Sequence, residues 1–227
     1  MANDPNDTTR SLAEATKSVS DTVRLGITVT DKAIAWLARM LREDAAGLLK
    51  DQVFYWRAKN ALDLQDKLDR ILEIRHLENP KAIPLRLAIP FLKSATLEDD
   101  STLQDRWAGL LANAMDPTCK IKMERYFGSI LEDLSPSDCL VLDLFGLYSI
   151  QAQNMETTPQ ALATKLAKDE EEICIALGNL FRQGLVERRP REGMPIGSLK
   201  TWSFVHGAFY LTELGKSFLL ACSVEEG

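Results

Sequence analysis

Histidine is nearly absent from this chain, with two in 227 residues, and the scarcity narrows the chemistry open to it. The imidazole is the usual general base near neutral pH and a frequent metal ligand, so sites that need several histidines are excluded. Cysteine is sparse too: Cys119, Cys139, Cys174 and Cys222 lie far apart, with no C-x-x-C pair and no nearby histidine to complete a zinc site. Buried free thiols are expected. No stretch of about eighteen apolar residues is present to cross a membrane, and the opening MANDPNDTTR lacks the apolar centre of a signal peptide. A cytoplasmic protein without a membrane span is therefore expected. Positive charge is not in excess. A formal net charge of -6 argues against coating nucleic acid or anionic membrane through bulk electrostatics, so any such contact must be local. The chain also lacks a G-x-x-x-x-G-K-S/T phosphate loop, a G-x-G-x-x-G fingerprint and a G-x-S-x-G elbow, and no enzymatic activity, cofactor or metal is indicated.

What remains is the composition of an ordinary globular protein, 45% apolar and 26% charged, long enough for one large domain or two small ones. Residues 1–23 are rich in Asn, Asp, Ser and Thr and read as a flexible or marginally helical tail. From Thr30, a helix N-cap followed by Asp31, apolar residues recur at Ile34, Leu37, Leu41, Ala45 and Leu48 with a helix period. A second helix carries a stripe of Val53, Trp56, Ala61, Leu64, Leu68, Ile71 and Leu72, and Asn79 and Pro80 are expected to stop it.

The densest pattern runs from Ile83 to Asp138. A Pro-bounded segment, IPLRLAIP, leads through the acidic turn Glu98-Asp99-Asp100 into LQDRWAGLLANAMDP. There Leu103, Trp107, Leu110, Leu111 and Ala114 share one helix face, Asp100 or Ser101 can cap the start, and Pro117 closes the helix. YFGSILEDLSPSD follows. This ordered set of Pro, Glu-Asp, Trp and Ser-Pro marks resembles the Abi-alpha (abortive infection alpha) family of bacterial proteins, over roughly 53–142. The resemblance implies antiphage defence and no known reaction, with a protein partner or a phage-derived trigger.

At Leu134 the pattern changes. Ser135, Pro136 and Asp138 mark a capped helix start with Pro at the first helical position, and the nearly apolar CLVLDLFGLYSI that follows is expected to be central. Thr158 and Pro159 open QALATKLAKD. Asp169 and Glu172 have the spacing of an acidic capping box before EEICIALGNLFRQG, with Gly184 as its stop. LVERR, the loop PREGMPIGS, LKTWSFV and GAFYLTELG then alternate apolar and polar residues like short strands. This order, with L-x-x-Q-G-L-V-E at Leu180 to Glu187 and the phrase Y-x-L-T-x-x-G in the form F-Y-L-T-E-L-G at Phe209 to Gly215, resembles a winged helix-turn-helix. The expected fold is thus mainly α: a tail (1–23), a helical Abi-alpha-like domain (24–134) and a winged-helix-like domain (135–227) with a small β-hairpin.

Candidate sites follow from these elements. Lys165, Lys168, Arg188, Arg189, Arg191 and Lys200 gather near the wing and offer a nucleic-acid contact led by it. Against it stand Asp169 to Glu172 at the start of the would-be recognition helix, and eight Lys and Arg against twelve Asp and Glu from Ser135 onward. A winged-helix transcriptional regulator or DNA-binding adaptor is thus the alternative to a defence protein that acts by binding. Phe54, Tyr55, Trp56 and Arg57 cannot all face one core at 100° per residue, so this segment is a candidate partner surface. Arg70 and His76 have a spacing that loosely resembles the arginine-histidine pair of HEPN-type ribonucleases, a weaker alternative; a surface histidine near a helix C-terminus explains His76 more simply. His206 reads as a strand or turn residue. The carboxylates at Glu98 to Asp100 and Asp169 to Glu172 sit where helix starts favour negative charge, which accounts for them without a metal. Long amphipathic helices such as Val53 to Leu77 pair within one chain or across a homodimer, and the pattern admits both.

Overall fold

In a computed structural model that describes residues 50–77, 80–150, 158–189 and 208–223, the chain forms eight helices and a two-stranded antiparallel sheet among those residues. The tail, the helix expected from Thr30, the loop PREGMPIGS and His206 lie outside them. The helices are α1 (Lys50–Ile74), α2 (Leu85–Ala95), α3 (Ser101–Met115), α4 (Arg125–Glu132), α5 (Pro136–Ile150), α6 (Pro159–Leu166), α7 (Glu170–Arg182) and α8 (Glu213–Cys222). The strands β1 (Val186–Arg189) and β2 (Ala208–Leu211) stand between α7 and α8. Two compact units divide the chain: Met1–Ser129 with Cys222–Gly227, and Ile130–Ala221. That division falls inside α4, ahead of the Ser135 start read from the sequence.

In the first unit α1, α2 and α3 pack on one another. Helix α3 is its centre: Trp107 to Met115 are buried without interruption, and Trp107 meets the Phe91 ring of α2 at 6.1 Å between centroids. Asp100 caps α3, its carboxylate accepting the N–H groups of Thr102 and Leu103 at 2.9 and 3.1 Å. Glu98 accepts the Asp100 N–H at 2.9 Å, and buried Gln104 donates to the Glu98 carbonyl at 2.8 Å. Two of the three acidic-turn residues thus build the helix start.

Helix α1 departs from the expected stripe. Leu64, Leu68 and Ile71 are buried, but Trp56 is 55% exposed, and the inner face begins instead with Arg57 and Asn60. Thr96, the C-cap of α2, explains the exchange: Arg57 donates to its hydroxyl at 3.4 Å and Asn60 to its carbonyl at 3.4 Å. A buried polar side chain is tolerated where such bonds replace water. Lys67 adds an ion pair to Asp105 and a 3.0 Å bond to the Ser101 hydroxyl.

The end of α1 also differs from the sequence reading. The helix stops at Ile74, before Asn79 and Pro80, because Leu77 N–H returns to the Leu72 carbonyl and His76 N–H to that of Glu73, both at 3.0 Å. This is a Schellman closure with His76 at the left-handed position, φ +49°. Helix α2 corrects a second boundary: Pro84 precedes it, but Pro90 lies inside rather than at its end. The ring removes one internal donor, while the Pro90 carbonyl accepts the Ser94 hydroxyl at 3.1 Å.

Among its described residues the second unit follows the end of α4 with the element order read from the sequence, three helices, two strands and a helix. Helix α5 contacts α6, α7 and β2, so it is central there, although Leu140 and Leu147 are exposed. A reciprocal box opens it: Ser135 N–H donates to Asp138 Oδ2 at 2.7 Å, and Asp138 N–H to Ser135 Oγ at 3.2 Å. Thr158 caps α6, with Pro159 at its first position. Ala167, Lys168 and Asp169 then turn the chain into α7, with Ala167 left-handed at φ +51°. Glycine takes up this conformation at no Cβ penalty. Ala167→Gly and His76→Gly are each expected to raise stability by about 0.5–1 kcal/mol, read as a later urea midpoint with an unchanged slope.

The far end of α7 closes on Gly184, φ +73°, with Leu185 N–H bonded to the Leu180 carbonyl at 2.9 Å and Gly184 N–H to that of Phe181 at 3.0 Å. Strand β1 follows and pairs with β2 in the register Val186↔Leu211 to Arg189↔Ala208. Thr212 then locks the two sequence phrases together. Its hydroxyl donates to the Gly184 carbonyl at 2.7 Å, its N–H bonds the Leu185 carbonyl at 3.0 Å, and its Oγ1 accepts the Gly215 N–H at 2.9 Å to cap α8. Leu-Thr-x-x-Gly is the chemistry of that junction.

Candidate functional site

Helix α7 and the turn between α4 and α5 face each other in the second unit. They border a cleft of about 420 Å³, lined among others by Glu132, Leu134, Ser137, Glu172 and Ile175. Polar side chains of α7 reach across to that turn. Asn179 donates to Asp138 Oδ2 at 2.8 Å and to the Asp133 carbonyl at 2.9 Å; Gln183 donates to Asp133 Oδ2 at 2.8 Å, and Arg182 pairs with the same oxygen at 3.5 Å. Buried Asp138 therefore serves two ends at once, the start of α5 and the flank of α7.

Asp138→Ala is expected to cost about 2 kcal/mol, because it removes the N-terminal box and leaves the Asn179 amide short of an acceptor. Asp138→Asn, which retains an acceptor oxygen, should lose about half as much. Urea unfolding followed by circular dichroism measures both.

The acidic start of α7 corrects one expectation. Asp169 is the N-cap, but its side chain accepts no capping bond, and Glu172 does not complete a box with it. Glu172 is instead held by the Ser137 hydroxyl and by Lys168 Nζ at 2.9 Å. These two bonds, the hydroxyl first, hold its carboxyl below the ordinary glutamate range. On the same helix the Cys174 thiol is pushed up, first by burial and then by the charges of Glu170 and Glu171, which keeps it a poor nucleophile at neutral pH.

Around α7 the residues fall into two faces. Ile173, Ala176, Leu177 and Leu180 are buried. Opposite them stand Glu171, Ile175, Gly178 and Arg182, at i, i+4, i+7 and i+11; Ile175 is 68% exposed, and Phe181, at the edge of this face, is 50% exposed. The sequence reading passed over this outer face. Its signal was present in the helix period, since Ile175 falls opposite the four apolar residues that pack inward.

The proposed nucleic-acid residues are distributed differently. Lys165 is exposed on α6, and Lys168, in the turn, is paired with Glu172. Arg188 is half-buried on β1 opposite Phe209, while Arg189 pairs in register with Ala208 and its side chain lies outside the described set. Arg191 and Lys200 also lie outside the described residues. In the other proposed surface, Trp56 is exposed and Arg57 is buried against Thr96, whereas the side chains of Phe54 and Tyr55 are outside the described set. Arg70 and His76 are both exposed, and the backbone of His76 is engaged in closing α1. No group of three or more metal-ligating side chains and no helix long and apolar enough to cross a membrane occurs among the described residues.

A family model described as Abortive infection alpha matches residues 57–222, most of the chain. No curated protein and no solved structure matches it.

Proposed function

The chain belongs to the Abortive infection alpha family, and from that membership we propose that it is a bacterial antiphage protein that acts by macromolecular binding rather than catalysis. The second unit serves in this reading as a winged-helix-like binding module, with α6, the three-residue turn at Ala167 and α7 as its helix-turn-helix. The observation that carries the binding mode is the outer face of α7. A helix that enters a major groove needs donors for base edges and must tolerate phosphate on both sides. Here that face offers Ile175 and Gly178 at its middle and follows three consecutive glutamates, Glu170 to Glu172, which would repel phosphate. Apolar and acidic groups suit a protein partner. Binding is favoured over catalysis because Ser135, Ser137, Asp138, Glu172 and Asn179, five of the polar residues that line the cleft, are occupied in holding α5, α7 and the turn before α5 together.

The test of defence is infection itself. A host that carries the gene should form fewer plaques than one with an empty vector, and its culture should collapse at a high phage-to-cell ratio; equal plaque numbers across a broad phage panel would refute the reading. The regulator alternative draws on Arg188 and Arg189, at the end of β1 and just before the segment read from the sequence as a wing. Gel-shift titration at low salt separates the two: a salt-sensitive shift that needs the arginines favours DNA.

A further inference from the structure

We propose that the outer face of α7 is a self-association surface, on which a second copy of this chain lays its own α7 antiparallel across a two-fold axis between Ala176 and Leu177. The basis is the symmetry of the face. Glu171 and Arg182 lie equally far from that midpoint, and so do Ile175 and Gly178. An antiparallel copy therefore sets Glu171 against the partner's Arg182 and Ile175 against the partner's Gly178, and the two-fold repeats each pairing. Every element of an isologous contact is met by one helix: opposite charges at the ends, a projecting apolar side chain and a gap to receive it at the centre.

The spacing agrees with such packing. Glu171, Ile175, Gly178 and Arg182 follow steps of four, three and four, the seam along which two helices cross at a shallow angle. Gly178 has no side chain to hold the backbones apart. Antiparallel docking also places the positive N-terminal end of each α7, with its acidic first turn, beside the negative C-terminal end of the other and its Arg182. Ile175 and half-exposed Phe181 supply apolar surface that the described chain leaves to solvent. Arg182 already touches the Asn179 amide oxygen at 2.7 Å and Asp133 at 3.5 Å, bonds that aim its guanidinium while the side chain stays 63% exposed.

A parallel copy would bring glutamate against glutamate and arginine against arginine, so the charges select one orientation. One helix from each copy covers less than the ~800 Å² per partner of a standard interface, which makes the expected association micromolar. It also closes to DNA the helix a winged-helix protein would place in the groove.

The inference rests on reading α7 as a protein-contact helix, and its failure is separable from failure of that reading. Sedimentation equilibrium of the full chain over roughly 1–300 µM should show a passage from the 25.4 kDa monomer to a dimer. Ile175→Asp should weaken dimerisation by about tenfold or more, and so should Glu171→Arg and Arg182→Glu singly. The double swap, Glu171→Arg with Arg182→Glu, restores both charge pairs in the opposite sense and should recover wild-type association to within about threefold. All of these residues but Gly178 are exposed, and circular dichroism should find each variant folded. A monomer throughout the range, a dimer indifferent to Ile175→Asp, or a folded double swap no tighter than its singles would overturn the self-association. A DNA shift abolished by Ile175→Asp and strengthened by Glu171→Arg would overturn the protein-contact reading itself.

Discussion

Gly215→Ala is expected to lower the stability of the second unit by about 3 kcal/mol or more, the upper end of what overpacking costs. A Cβ at this position would stand 2.2 Å from the Leu185 carbonyl oxygen and 2.7 Å from Leu211 Cδ1. The first of these neighbours is backbone and cannot rotate away. It is also in use, because the Leu185 oxygen accepts the Thr212 N–H at 3.0 Å. Displacing it would loosen the cap of α8, the turn after α7 and the first rung of the sheet, Val186↔Leu211, together. Gly184 should respond differently: a Cβ there meets nothing nearer than 3.8 Å, so Gly184→Ala carries only the strain of φ +73°, about 1–2 kcal/mol. Urea unfolding of the two variants in parallel separates steric from conformational cost, and equal losses would refute the close approach.

Gly109→Ala should be as damaging in the first unit, again about 3 kcal/mol or more. Its Cβ would lie 2.4 Å from the Cys222 carbonyl oxygen and 3.1 Å from that of Ser223. Those carbonyls run along α3, for one turn beyond Gly109 the Asn113 amide donates to the Ser223 oxygen at 3.3 Å. Arg75 ties both, donating to Asn113 Oδ1 at 2.7 Å and to the Ser223 carbonyl at 3.0 Å. A chain ending at Ala221 lacks the obstructing carbonyls, so Gly109→Ala in that background should cost less than about 1 kcal/mol. The truncation alone should be destabilising, since it strips Arg75 and Asn113 of an acceptor. An undiminished penalty in the short chain would show that the glycine is required for some other contact.

Much of the helical skeleton was legible in the sequence. The starts of α3, α5 and α6 fell where Asp100 or Ser101, Ser135 with Asp138, and Thr158 with Pro159 placed them, Asp100 being the cap of α3, and Gly184 closed the turn after α7. Capping involves groups three or four residues apart, so the information is contained in a short window. The failures had two sources, a left-handed residue that its side chain does not announce and a partner on another helix. Asn79 and Pro80 looked like the stop for α1, yet a left-handed histidine closed the helix earlier. Glu172 had the spacing for a box with Asp169, but a serine on another helix and a neighbouring lysine hold it.

By itself the sequence determined that this protein is mainly helical, where several of its helices begin, which apolar residues of α3 meet in a core, and the family to which it belongs. Periodicity and capping are local, and the family's marks are read in order along the chain. Only the tertiary structure decided which polar residues go inside and which apolar ones stay out. Arg57 and Asn60 are buried because Thr96, capping the end of another helix, receives them, and Trp56 is turned to solvent by the same rotation. Ile175 is left outside because Ile173, Ala176, Leu177 and Leu180 take the inner face of α7. A side chain is buried or exposed according to what the rest of the chain brings opposite it, and residues far apart in sequence make that choice.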